Sequence, residues 1–218
     1  MITADLIMSE RLTAEHRDKF IHWIHEFSED LERRKDSYWT LFPLTLFRGD
    51  SFQVVISTTG LAMELALRIH SELASLNHQK TSRYLQARIA IGVGQITYNR
   101  ERLEEADGEA FHLSGKLLDE MKDSRIERIR LATPDPEINA EFAIHCMSLD
   151  NLIGQWSAAQ GKVVSLALEN TTQQKIGDTL QESQPAIHQK LRASSFDLVE
   201  KISERFMKKM HDLEFDVR

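Results

Sequence analysis

Leu85-Gln86-Ala87-Arg88-Ile89-Ala90-Ile91-Gly92-Val93-Gly94-Gln95-Ile96 decides the fold. Ala87, Ile89, Ile91 and Val93 alternate with other residues, the period of a strand, and residues 85–97 are read as one. Gly92 and Gly94 mark either a bend or a close backbone approach to a ligand. Working outward, residues 60–76 predict a helix, with Leu61, Leu65, Ile69, Leu73 and Leu76 on or near one face. Before it, residues 39–47 and 52–57 are apolar runs around Arg48-Gly49-Asp50-Ser51, which predicts a hairpin with a Gly-Asp turn.

Residues 1–8 form a short apolar run interrupted by Asp5, a buried strand with one carboxylate. Thr13 is placed to cap a helix running to about residue 35. Phe20, Ile24, Phe27 and Leu31 supply its apolar stripe, and Arg33, Arg34 and Lys35 sit at the negative end of its dipole. His22 and His25 lack the His-Glu-x-x-His zinc pattern and read as solvated positions. Residues 98–107 are polar and read as a loop, 108–122 as a helix, and 129–133 as a last strand. The first six elements then make a split βαββαβ unit on one antiparallel sheet. Pro134 and Pro136 punctuate the chain, and strand signals stop after them. Phe142, Cys146, Leu149 and Ile153 follow at helical spacing, as do Trp156 and Val163. The expected division is an α+β domain over residues 1–135 and an all-α domain over 136–218.

Composition narrows the function classes. No run of about 18 apolar residues occurs, so no membrane span is expected. The first residues lack the basic and apolar regions of a signal peptide. Cys146 is the sole cysteine, which excludes an internal disulfide and a cysteine-based zinc site. A cytoplasmic location is expected by elimination, and with it the Arg48-Gly49-Asp50 and Asn170-Thr171-Thr172 tripeptides lose the extracellular meanings they would otherwise carry. The net charge of −7 argues against a general nucleic-acid coat but leaves room for one local basic surface.

Residues 184–195, with two basic residues and no acid, offer such a surface, and they begin within the stretch 173–187, Gln-Gln-Lys-Ile-Gly-Asp-Thr-Leu-Gln-Glu-Ser-Gln-Pro-Ala-Ile. Ile176 and Leu180 anchor a short helix, and Gly177 is small where a second helix must cross. Ser183 is an N-cap and Pro185 falls in the next first turn, where a missing N–H costs nothing. Ile187 and Leu191 anchor the second helix. The stretch resembles the helix-turn-helix of bacterial DNA-binding proteins, with Gln181 where the turn usually has Gly and Glu182 where it usually has an apolar residue. The second helix would present Gln184, His188, Gln189, Lys190 and Arg192, side-chain types that read base edges or reach phosphate. The same unit also serves as a protein–protein module in other settings. Residues 196–210 predict a last helix whose Val199, Ile202, Phe206 and Met210 either cover this unit or pair with a second copy, since a helix-turn-helix ordinarily works as a dimer.

Ile2-Thr3-Ala4-Asp5-Leu6-Ile7 resembles the first strand of class III nucleotide cyclases, where an aspartate binds metal. Arg48-Gly49-Asp50-Ser51-Phe52 resembles their hairpin, with its second aspartate. Residues 85–96 resemble their next core strand, and Gly108-Glu109-Ala110-Phe111-His112-Leu113-Ser114-Gly115-Lys116-Leu117 the helix after it. With the appended helix-turn-helix, nearly the whole chain resembles the SatD family of bacterial proteins. The resemblance implies a ferredoxin-like, nucleotide-cyclase-like domain followed by a helix-turn-helix domain. It implies Asp5 and Asp50 as ligands for Mg²⁺ or Mn²⁺, and Arg48, Gly49, His112 and Lys116 as ligand-binding positions. The lysine that reads the purine in adenylate cyclases falls on Leu46, the helix asparagine on His112 and the transition-state arginine on Lys116. Lysine lacks the bidentate fork of arginine. The expected function is therefore a homodimeric DNA-binding transcriptional regulator with a domain that binds a nucleotide or related phosphate ligand. The alternatives are a metal-dependent nucleotidyl cyclase or nucleotidyltransferase, and a protein–protein adaptor.

Overall fold

Strand β1 (Ile2–Leu6) lies at the centre of a five-stranded sheet. The computed structural model describes residues 1–33, 40–47, 49–77, 85–98, 106–124 and 126–213. β3 (Ser51–Ile56) and β4 (Ala87–Gly92) flank β1, both antiparallel to it. β2 (Thr40–Phe47) lies outside β3 as its hairpin partner, and β7 (Ile129–Ala132) runs parallel to β4 at the other edge. The order is β2-β3-β1-β4-β7. The strand read over residues 85–97 is broken after Gly92. Its continuation, β5 (Ile96–Tyr98), pairs with β6 (Asp107–Gly108) in a separate two-stranded ribbon. Trp39, Arg34, Lys35 and residues 99–105 of the expected loop lie outside the described residues.

The two-residue period of β1 sends Ile2, Ala4 and Leu6 to one side, where they join the large apolar core, and Thr3 and Asp5 to the other. Helices α1 (Ala14–Arg33) and α2 (Ala62–Ser75) cover the apolar side. Thr13 caps α1 as expected, its hydroxyl accepting from the amide of His16 at 3.3 Å. Helix α3 (Glu109–Met121) covers the opposite side, where Leu117, Leu118 and Met121 pack on Ala90 and the Ser114 hydroxyl meets that of Thr3 at 2.9 Å. Gly92 permits this layer. A Cβ there would stand 2.3 Å from the carbonyl oxygen of Ala110, so the close backbone approach is to α3.

Past β7 the described chain is helical: α4 (Pro136–Ile153), α5 (Ala158–Leu168), α6 (Gln173–Leu180), α7 (Gln184–Ala193) and α8 (Phe196–His211). The change in structural type falls at the two prolines, with Asp135 capping α4 through the amides of Glu137 and Ile138. The apolar core does not stop there. Phe142, Val163, Ile176, Ile187 and Phe206 belong to the same cluster as Ile2, Phe52 and Ile89. Val199, Ile202, Phe206 and Met210 of α8 are buried within the chain, Phe206 meeting Phe142 edge-on at 5.3 Å between ring centres. Among the described residues no helix is long and apolar enough to cross a membrane.

Two polar contacts tie the helical part to the sheet. On α4, Asp150 accepts from the amides of Arg128 (2.7 Å) and Ile129 (2.9 Å), which sets the start of β7. Burial nevertheless pushes its carboxyl up to about 6. On α2, Arg68 is almost wholly buried and its guanidinium meets three carboxylates: Asp30 of α1, Glu72 of α2 (3.2 Å) and Glu169 at the end of α5 (2.9 Å). Phe27 closes its π face at 4.8 Å. Glu72 in turn accepts from Trp23 Nε1 (2.9 Å) and the Ser165 hydroxyl (3.1 Å). Beside this network α5 crosses α2 at Gly161, where a Cβ would stand 2.4 Å from the carbonyl oxygen of Ser71.

Removing the cation would take their shared partner from three largely buried carboxylates, of which Asp30 keeps Arg33 at 3.6 Å. Arg68→Met is expected to cost about 3–5 kcal/mol, the range for breaking a buried ion pair one-sidedly, read as a lowered urea midpoint. A loss below about 1 kcal/mol would contradict this account. His70 supplies a second check. Its ring is fully buried against the Arg128 carbonyl oxygen (3.1 Å), and burial lowers its pKa to about 3. An unfolded histidine takes up its proton near neutrality, so the neutral ring contributes stability above that range which is lost as pH falls toward about 3. The His70 ring resonances should stay fixed from about pH 8 to about pH 5, where histidine ordinarily titrates.

Candidate functional site

The end of β1 and the β2–β3 turn bring Asp5 and Asp50 together. Asp5 faces Ser51 across β3 and Arg88 across β4. Asp50 lies in the turn before β3, where its carbonyl accepts from the Leu6 amide at 3.0 Å. Gly49 sits at φ +78 with nothing within 4 Å of a notional Cβ, so the left-handed backbone itself calls for glycine there. Arg48 lies outside the described residues. The Asp50 carboxylate accepts from the hydroxyls of Ser9 (2.6 Å) and Ser51 (3.3 Å).

Asp5 is 9% exposed, and its countercharge comes from within the sheet. Arg88 Nη1 lies 3.4 Å from Asp5 Oδ1. Burial raises the Asp5 pKa, Arg88 works against that rise, and the charge of Asp50 adds to it. The Asp50 contribution places the two carboxylates within electrostatic reach of each other. Two carboxylates are a donor set that Mg²⁺ and Mn²⁺ accept, and Asp5 and Asp50 would hold the ion. Such an ion would neutralise them and draw in phosphate oxygens. The Arg88 guanidinium is its competitor for Asp5.

The other cyclase-like positions do not gather at this cluster. His112 is on the solvent side of α3 and pairs with Asp107 at 3.2 Å, with its side chain 77% exposed. Lys116, one turn on, is also exposed. Leu46 packs against the apolar core from β2. Cys146 is buried and its thiol is pushed up to about 12, which leaves no thiolate for chemistry.

Sequence reasoning missed Arg88 and Ser9. The signal for Arg88 was present: it is out of phase with Ala87, Ile89 and Ile91, on the same side of the sheet as Asp5. An ionised side chain in an apolar strand calls for an opposite charge beside it.

In the helical part, α6 and α7 meet through the turn 181–183. Gln181 adopts the left-handed conformation at φ 56, a position glycine usually fills. Gly177 is needed for the crossing: a Cβ there would stand 2.7 Å from the carbonyl oxygen of Glu182, which already receives company from the Glu182 amide bonding to the Gly177 carbonyl (2.9 Å). Ser183 caps α7 through the Ala186 amide, and Ile187 and Leu191 are buried. Gln184, His188, Gln189 and Arg192 are exposed. Lys190 is not free: it forms an ion pair with Glu182, the residue that stands where the turn is usually apolar. His188 and Arg192 border a depression of about 570 Å³ whose rim also carries Asp197 and Glu200.

Comparison with known proteins finds no match to any family model, curated protein or solved structure.

The Asp5–Arg88 pair makes the metal response testable within one variant. With wild-type protein, Mn²⁺ is expected to raise the unfolding temperature slightly. In Arg88→Gln, which keeps a polar end and loses the charge, Mn²⁺ at about a hundred times its Kd should add about 2.7 kcal/mol. Asp5→Asn should abolish both responses. Equal, Asp5-independent shifts in a thermal melt would contradict the site.

Proposed function

We propose that this chain is a cytoplasmic DNA-binding transcriptional regulator whose α+β part binds a phosphate-bearing ligand such as a nucleotide. The observation that carries the reading is the α6–α7 pair. Its crossing at Gly177, its left-handed turn and its capped second helix leave Gln184, His188, Gln189 and Arg192 together on an open surface. Glutamine pairs with adenine edges and arginine with guanine or phosphate. The order β2-β3-β1-β4, antiparallel at each contact and with α1 and α2 on one face, supports a ferredoxin-like, cyclase-like reading of the first part. It also fits the resemblance to the SatD family.

The ligand class follows from the charges at the Asp5 cluster. Phosphate oxygens would attract Arg88 away from Asp5, and the freed carboxylates would then take a divalent cation alongside. The proximity of Asp5 and Asp50 favours a second reading, a metal-dependent nucleotidyl cyclase or nucleotidyltransferase. The solvent-facing positions of His112 and Lys116 within one chain favour binding over catalysis. Turnover of a nucleoside triphosphate that disappears in Asp5→Asn would establish the enzyme.

Binding to genomic DNA fragments at low salt, followed by gel shift or fluorescence anisotropy, tests the leading reading. Arg192→Ala should weaken binding by about 1–3 kcal/mol if it reads a base. If it reaches a phosphate instead, the salt slope should fall by about one. Lys190→Ala should have a smaller effect, because Glu182 already holds that ammonium. Folded protein that retains no fragment would point to the adaptor reading.

A further inference from the structure

Helix α4 has two apolar faces. Ile138, Phe142, Cys146, Leu149 and Ile153 line the inner one and are buried. The outer one carries Ala140, Ala143, Ile144, Met147 and Asn151, all exposed, with Ile144 at 68% and Met147 at 72%. A surface helix of a globular protein ordinarily has one apolar stripe and a charged opposite face. Here the outer stripe has no charged side chain between Ala140 and Asn151. Ile126, 72% exposed, extends it across an open groove of about 470 Å³ that Met147, Arg128 and Gly154 also line.

The outer stripe is matched to itself when reversed. About a point between His145 and Cys146, Ile144 corresponds to Met147, Ala143 to Ser148, Ala140 to Asn151 and Glu137 to Gly154. The two central pairs match in size, Ile144 with Met147 and Ala143 with Ser148. The ends are complementary in charge. Glu137 is exposed at one end. At the other, the Arg128 guanidinium lies beside Gly154, its Cζ 3.2 Å from a notional Cβ there, while it also donates to the Ile126 carbonyl (2.7 Å) and to Gln86 Oε1 (3.3 Å). A two-fold axis at the centre would bring Glu137 of each copy level with Arg128 of the other, once at each end. This is the self-complementarity an isologous contact requires, with each residue meeting its counterpart in both directions. The seam would be about 27 Å long, the length of an 18-residue helix. Its charge-free middle lets two chains of net charge −7 meet without like charges opposed.

We infer that the outer face of α4 is a homodimer interface in which two copies pack antiparallel about a two-fold axis through the Ile144–Met147 step. The association is independent of whether α7 reads DNA, and a dimer that binds no DNA would leave it intact. The full-length chain should sediment with twice the single-chain mass of 25.1 kDa at micromolar concentration. Met147→Glu places a charge at the centre of the seam and outside the core. It should raise the dimer dissociation constant at least about tenfold while the far-UV circular dichroism stays unchanged, and the melting temperature should lose its dependence on protein concentration. Register is tested by mixing Ala140→Cys chains with Asn151→Cys chains under mild oxidation. The mixture should give a covalent mixed dimer, and neither variant alone should give one in comparable yield. A monomer up to about 100 μM, a dimer indifferent to Met147→Glu, or cross-linking that favours either variant alone over the mixture would each overturn the proposal.

Discussion

The guanidinium of Arg68 holds together three helices that come from distant parts of the chain. It draws Asp30 from α1, Glu72 from its own helix and Glu169 from the end of α5 into one buried site. Arg68 is the charge the three carboxylates share, and the exposed Arg33 adds a second cation to Asp30 at 3.6 Å. The arrangement persists because Trp23 and Ser165 donate to Glu72 and because Phe27 shields the guanidinium face. Burial raises the pKa of Glu72, the charge of Glu169 adds to it, and Arg68 opposes that rise. The contact fixes how α1 and α2 lie on the sheet and where α5 docks. The helix-turn-helix-like unit, which follows α5, inherits its position from that docking.

The same principle operates on the other face of the sheet. Asp5 sits in an apolar strand next to another carboxylate, and the protein answers with Arg88 from the neighbouring strand rather than with solvent. Asp50 is satisfied by two hydroxyls. The cluster is not closed: two carboxylates share one guanidinium, and the Nε of Arg88 is buried without a hydrogen-bond partner among the described residues. Any anion that enters competes for Arg88, and any cation competes with it. Coupling of that kind suits a domain that responds to a ligand, because binding at one member changes the electrostatic field at the next.

Much of the architecture was legible because it depends on local periodicity. The alternation in Leu85–Ile96, the four-three-four spacing in α1 and the Gly-Asp turn at Gly49 are all statements about neighbours in sequence, and each element appears where its pattern lies. The α4 stripe of Phe142, Cys146, Leu149 and Ile153 was legible for the same reason. The break after Gly92 was not, because it depends on contacts remote in sequence: α3 lies against Gly92 and Gly94, and the Val93 amide donates to the Ala132 carbonyl of β7 at 2.9 Å. Arg68 and Asp150 were overlooked for a related reason. Each is a charged residue inside an apolar pattern, and the pattern names the helix face without naming the partner. At the candidate site, Asp5 and Asp50 were paired through the resemblance to nucleotide cyclases, whereas Arg88 needed the β1–β4 register. The exposure of Gln184, His188, Gln189 and Arg192 followed from helix phase, while the capture of Lys190 by Glu182 required the actual turn.

Gly161 carries a consequence for anyone who would dissect the molecule. Its missing side chain lets α5 lie directly on α2, backbone against side chain and carbonyl, with the Arg68 carboxylates alongside. A gene fragment beginning at the two prolines would encode every residue of the helical part yet lack the surface on which α5 rests. Its Val164 and Leu168, which share the Gly161 face of α5, would then meet water. The complementary fragment would uncover Ser71 and Ala74 of α2 and leave Arg68 without Glu169 and Glu72 without Ser165. Each half would display the sticky surface from which inclusion bodies grow, so the two parts are better inherited, expressed and purified as one.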